Sequence, residues 1–228
     1  MTNRQVPTDK ELLGRATKLA RRAGVDWSFI ASQCTELVVF GSRAAGLETP
    51  FSDLDVLVVR KHGLAMPLPR VRGIDLVFRT EDEILSAEWL KSEMAGHIAA
   101  CGRWLQGSGR WRNNALAVRG EPNEAAEAKR RRISRLAEAL RNHWDRLTPD
   151  FRRRNLTTLR REKQRLQLLQ SGIAIPPTRL LDMWAEHNSV RNSCEEHALS
   201  GTDLPQILWK RLLSLNWFSI RQMRKERW

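Results

Sequence analysis

The feature that most restricts what this chain can fold into is the run Ser52-Asp53-Leu54-Asp55-Val56-Leu57-Val58-Val59, two carboxylates at the mouth of an otherwise apolar, largely β-branched segment. Residues two apart on a strand share a face, so Asp53 and Asp55 point together while Leu54, Val56 and Val58 face the opposite layer. Aspartate is disfavoured in strands, and several aspartates facing one point repel strongly without a cation between them. Two other runs have the same β-prone character: Leu37-Val38-Val39-Phe40, which stops abruptly at Gly41, and Gly73-Ile74-Asp75-Leu76-Val77-Phe78, which carries a third carboxylate near its start. The stretch between the second and third runs contains Gly63, Pro67 and Pro69, so it reads as an exposed connection and not as a crossover helix. The second and third strands are therefore expected to pair as antiparallel neighbours, with Asp75 reaching the same place as Asp53 and Asp55.

Helical patterns surround these strands. Thr8 and Glu11 have capping-box spacing, and Leu12, Ala16, Leu19, Ala20 and Ala23 fall on one face of a helix that ends near Gly24. From Glu81 to about Leu105 the pattern is helical again, and 106–123, with three glycines and a proline, reads as a linker. Beyond it, Ile133, Leu136, Leu140, Trp144 and Leu147 recur at helical steps until Thr148-Pro149; a second basic helix spans about 150–170, and two more are expected at about 179–199 and 204–225. The expected fold class is α+β: a domain with a small mixed sheet over 1–112, which carries the three carboxylates, followed by an all-helical basic domain over 124–228. A chain of 228 residues can bury such a core without disulfides. Cys34, Cys101 and Cys194 lie far apart and read as reduced thiols; with no export signal and no apolar stretch near 20 residues, the expected location is the cytoplasm.

Nucleotidyl transfer requires divalent cations that activate a hydroxyl and hold a triphosphate, so carboxylates must converge on one point. Gly41-Ser42 adds a turn at which glycine permits close backbone approach and amides and a hydroxyl can hold phosphate oxygens. The order strand, Gly-Ser turn, Asp-x-Asp strand and later carboxylate resembles the active-site signature of the DNA polymerase β nucleotidyltransferase superfamily. The resemblance spans about 37–78 and extends through Gly41-Ser42-Arg43-Ala44-Ala45-Gly46, which is similar to the Gly-Ser-x-Ala-x-Gly turn of compact bacterial members. It implies that Asp53 and Asp55 bind two magnesium ions, with manganese as a substitute. It further implies that Asp75 binds the catalytic ion and helps deprotonate the acceptor, and that Gly41 and Ser42 bind the triphosphate of a nucleotide such as ATP. Arg43, or one of Arg60, Lys61, Arg70 and Arg72, is expected to neutralise the leaving pyrophosphate.

The acceptor is suggested by charge. There are 39 Lys and Arg against 26 Asp and Glu, a formal net charge of +13, which favours a polyanionic partner. Arg130, Arg131 and Arg132, with Lys129, and Arg152, Arg153 and Arg154 are candidate contacts to RNA phosphates. The leading expectation is transfer to an RNA end such as that of tRNA. The alternatives are an adenylyltransferase acting on an antibiotic or, as in toxin–antitoxin pairs, on a partner protein, and an inactive nucleotide- or nucleic-acid-binding module. Arg191 to His197 also resembles the arginine-to-histidine pattern of HEPN ribonucleases, but six residues along one helix put the two side chains on different faces. Nine Trp and no Tyr imply indoles used mainly for packing or stacked on arginines.

Overall fold

Thr8 and Glu11 close a reciprocal cap, Thr8 N–H donating to the Glu11 carboxylate at 2.7 Å and Glu11 N–H to the Thr8 hydroxyl at 3.3 Å, and helix α1 (Asp9–Arg22) follows. Its buried Leu12, Ala16 and Ala20 form the expected stripe. The computed structural model describes residues 8–22, 24–61, 73–118 and 124–183. Within these, α2 (Trp27–Gln33) leads directly into β1 (Cys34–Phe40), a single turn of helix α3 (Gly41–Ala44) follows, and β2 (Leu54–Arg60) and β3 (Ile74–Thr80) come next. The short helices α4 (Glu81–Leu85), α5 (Ala87–Lys91) and α6 (Glu93–Cys101) precede β4 (Arg103–Gln106) and α7 (Trp111–Ala117). Two long helices, α8 (Glu124–His143) and α9 (Pro149–Gln170), complete the named elements.

The four strands form one mixed sheet in the order β3-β2-β1-β4, with β1 antiparallel to both β2 and β4. Both faces are covered. Leu37, Val39, Leu54, Val56 and Val58 pack on Ala16, Ala20, Trp27 and Ile30 of α1 and α2, while Val38, Leu57 and Val59 pack on Ile98, Ala99 and Trp111 of the opposite layer. Burial on both sides explains why β1 and β2 are nearly unbroken apolar runs.

Three expectations about the strands and their connections need correction. First, β2 and β3 are parallel, with Asp55 opposite Asp75. An antiparallel pairing would have put these two residues at opposite ends of the strands. The 61–73 connection is long enough to run back along a seven-residue strand, since parallel pairs need about a dozen residues or more between them; prolines argue against a helix there, not against the return. Second, 81–105 is not one helical segment. Thr80, Ser86 and Ser92 each take extended backbone angles and cap the next short helix with a side-chain oxygen, which divides the run in three. Third, 106–123 is not simply a linker: Arg103–Gln106 pairs with β1, and Trp111 of α7 is fully buried. Trp104, Trp111 and the Gly109 amide donate to the buried Glu36 carboxylate at 3.2, 2.9 and 2.9 Å, which locks this return against β1.

α8 and α9 pack on each other around a separate apolar cluster that includes Ala126, Leu168, Leu169, Ile173 and Leu181. Of the two later helices, only 178–183 lies within the described residues; the rest, with Cys194 and the Arg191 to His197 pattern, lies outside them. Cys34 and Cys101 are buried free thiols. Among the five described tryptophans, Trp27, Trp89 and Trp111 are buried, and Arg112 and Arg152 lie over Trp104 and Trp144. No helix among the described residues is long and apolar enough to cross a membrane.

Lys129, expected on a basic surface, is instead buried between Glu93 of α6 and Glu162 of α9, at 2.6 and 2.7 Å. Together with the 2.6 Å contact between His97 Nδ1 and the Ile175 carbonyl, it ties the sheet domain to the helical part. Lys129→Met removes the nearer cation from both acids and leaves them only the Arg165 guanidinium, 3.5 Å from each, so it is expected to lower unfolding stability by about 3 kcal/mol in a denaturant titration. An unchanged midpoint would show that this ion cluster contributes nothing to the docking.

Candidate active site

The site forms at one end of the sheet because three segments reach it there. Phe40, the last residue of β1, lies opposite Asp55, so Gly41 emerges beside that carboxylate. Asp53 immediately precedes β2, and Asp75 stands across from Asp55 in the parallel ladder, where neighbouring strands are about 4.8 Å apart. Asp55 and Asp75 occupy the same register position, so their side chains leave the same face. Asp53 and Asp75 are exposed and Asp55 is half-buried. The aspartates singled out in the sequence are thus brought together.

Electrostatics register the convergence. The Asp55 carboxyl is raised from 3.8 to about 6, first by burial, then by the charges of Asp75 and Asp53, with Arg43 acting in the opposite sense. Three acidic groups pressing on one another are a hard oxygen-donor set of the kind that suits magnesium or manganese. Among the described residues, no three carboxylate, histidine or cysteine side chains are drawn in closely enough to close around an ion as they stand. The donor chemistry fits a divalent cation, and the side chains would have to turn inward to ligate it.

Gly41 is required by this arrangement. Its φ is +71°, and a Cβ built on it would overlap Asp55 Oδ2 and lie 3.0 Å from the carboxyl carbon. The carboxylate occupies the space a side chain would have filled, which brings the turn backbone and the acid into direct apposition. Ser42 is half-buried in the same turn.

Arg43 performs a task the sequence did not suggest. Its guanidinium donates to the Ser52 carbonyl at 3.0 and 2.5 Å and to the Asp53 carbonyl at 3.2 Å. It therefore clamps the loop that delivers Asp53, while its charge reaches Asp55. No spacing rule would have found this, because the clamp depends on how 45–53 folds back. The sequence offered Arg60 and Lys61 as partners for pyrophosphate, and the structure corrects this: Arg60 stacks on Phe78 at the far end of β2, and Lys61 Nζ donates to the Ser32 carbonyl. Arg70 and Arg72 lie outside the described residues.

In the helical part, Arg130, Arg131, Arg132, Arg153 and Arg154 are exposed and Arg152 is half-buried against Trp144. Arg130 pairs with Glu127 and Arg153 with Asp150, both on the surface, where such pairs contribute little. Residues 27–100, from α2 to α6, match the family model of the nucleotidyltransferase domain, so the region with β1, β2, β3 and the acidic end is similar to nucleotidyltransferase domains of the DNA polymerase β type. No curated protein matches the chain.

Proposed function

We propose that this nucleotidyltransferase domain transfers a nucleoside monophosphate from ATP or another nucleoside triphosphate to a hydroxyl at the end of an RNA in the cytoplasm, releasing pyrophosphate. The observation that carries the reading is the register of Asp55 with Asp75, next to a glycine turn whose missing Cβ leaves room for the Asp55 carboxylate. In this reading Asp53, Asp55 and Asp75 would hold two magnesium ions, which supply charge neutralisation and an activated acceptor hydroxyl when bound. The chain's own residues do the rest. The Gly41-Ser42 turn receives the triphosphate, with its amides and the Ser42 hydroxyl toward phosphate oxygens. Arg43 holds Asp53 in position through the two carbonyls it clamps. Asp75 accepts the acceptor hydroxyl proton on its carboxylate; the acceptor oxygen bonds to the α-phosphorus as the bond to pyrophosphate breaks.

The RNA assignment is supported by charge. Residues 124–170 carry 14 Lys and Arg against six Asp and Glu, and Arg131, Arg132 and Arg154 are exposed on that hairpin. The decisive experiment mixes the protein, magnesium and each α-labelled triphosphate with cellular RNA, cell protein or aminoglycosides. Label is expected on RNA. Label on protein or drug alone overturns the RNA assignment while keeping the chemistry, and label that persists undiminished in Asp53→Ala overturns the site. If the basic hairpin binds the RNA, Arg131→Gln/Arg132→Gln/Arg154→Gln should reduce the slope of log affinity against log salt by about 2, at roughly 0.7 for each single-strand phosphate left without its arginine. A slope identical to wild type would remove these arginines from the interface.

A further inference from the structure

We propose that Phe51 is a stacking platform for the base of the donor nucleotide, an inference that rests on the nucleotidyltransferase reading of the same site. Phe51 is 93% exposed, well above every other exposed large apolar side chain among the described residues, the next being Leu85 at 58%. A loose loop does not account for this, because the backbone around the ring is anchored on both sides. Before it, Glu48 pairs with Arg15 of α1 at 2.6 Å, and the Thr49 amide donates to the Ser52 hydroxyl at 2.9 Å. After it, Arg43 grips the Ser52 and Asp53 carbonyls. Pro50, immediately before the ring, fixes its own φ.

The ring thus stands on a braced turn, two residues from Asp53, with both faces available to a ligand. The loop that carries it runs directly from the Gly41-Ser42 turn, assigned to the triphosphate, to Asp53, assigned to the ions. Asp75, assigned to the acceptor, arrives from β3 at the outer edge of the sheet and contributes nothing to this loop. Phe51 accordingly belongs to the donor side. An aromatic face offers a flat base stacking without reading its hydrogen-bonding edge, so the contact would strengthen nucleotide binding without selecting one base.

The test compares binding of magnesium–ATP and of magnesium–tripolyphosphate, which lacks a base, by calorimetry on the full chain. Stacking of one base is worth about 1–3 kcal/mol, so Phe51→Ala should weaken ATP about 5- to 150-fold, leave tripolyphosphate unchanged, and be rescued by Phe51→Trp. ATP affinity equal to wild type with tripolyphosphate binding intact overturns the proposal alone. So does equal loss of both ligands, which signals a collapsed loop, or a rise only in the KM for acceptor RNA. If the wild-type chain binds neither ligand, the reading of the site fails first, and that outcome is visible without any Phe51 variant.

Discussion

Asp55→Asn is expected to abolish nucleotidyl transfer while making the protein more stable. If the three aspartates hold the cations as proposed, removing one of these carboxylates should lower the rate by about 10³-fold or more, equivalent to several kcal/mol of transition-state stabilisation. The same charge is unfavourable to the fold, because burial, Asp75 and Asp53 all raise Asp55 to about 6. The protonated form is favoured in the folded state. Stability from this group is therefore complete below about pH 4 and is lost as pH rises through about 6. In the absence of magnesium the amide should gain about 1–2 kcal/mol at pH 7, after discounting for the solvent that reaches a half-buried group. Thermal unfolding from pH 4 to 8 with and without magnesium measures this: wild type should soften with rising pH and be restored by the ion, and Asp55→Asn should do neither. Proton and cation compete for one carboxylate, so the acid limb of activity should shift to lower pH as magnesium is raised. A limb that ignores magnesium would remove Asp55 from the ion site.

Gly41→Ala should be nearly as damaging to activity, for a steric reason. The substitution places a methyl group on the Asp55 carboxylate and forces a left-handed backbone at φ +71°. The backbone alone costs about 1–2 kcal/mol of stability. Displacement of Asp55 adds the larger effect, since a reacting group moved by about 1 Å can lose roughly 10² in rate. Gly24→Ala is the matched control: it has the same φ of +71°, but its Cβ would meet nothing within 4 Å. Both variants should lose similar backbone stability in urea titrations, and only Gly41→Ala should lose transfer. Equal activities in the two would mean that the apposition of turn and carboxylate has no catalytic consequence.

How much of this was legible beforehand follows from the range of each interaction. The first helix was readable because a capping box and a 3.6-residue stripe are local, and Thr8, Glu11, Leu12, Ala16 and Ala20 behave as their spacing says. The split of 81–101 was hidden because a serine inside a helical pattern becomes a cap only when the backbone turns extended there. β4 was hidden for another reason. Four half-buried residues have too little pattern of their own, and Arg103–Gln106 is a strand because β1 offers it an edge.

Residue type and short spacing already pick out the candidate residues: the acids at 53, 55 and 75, the Gly-Ser turn and the strands that carry them need no knowledge of distant contacts. Their geometry belongs to the folded chain. Whether Asp75 lies beside Asp55 or a strand's length away depends on pairing direction, a property of the assembled sheet that no residue in either strand encodes by itself. The same holds for Arg43 on the Ser52 and Asp53 carbonyls and for Lys129, buried between two acids instead of exposed on a basic face. A charge takes its role from the partner that folding brings to it, and those partners lie up to dozens of residues away.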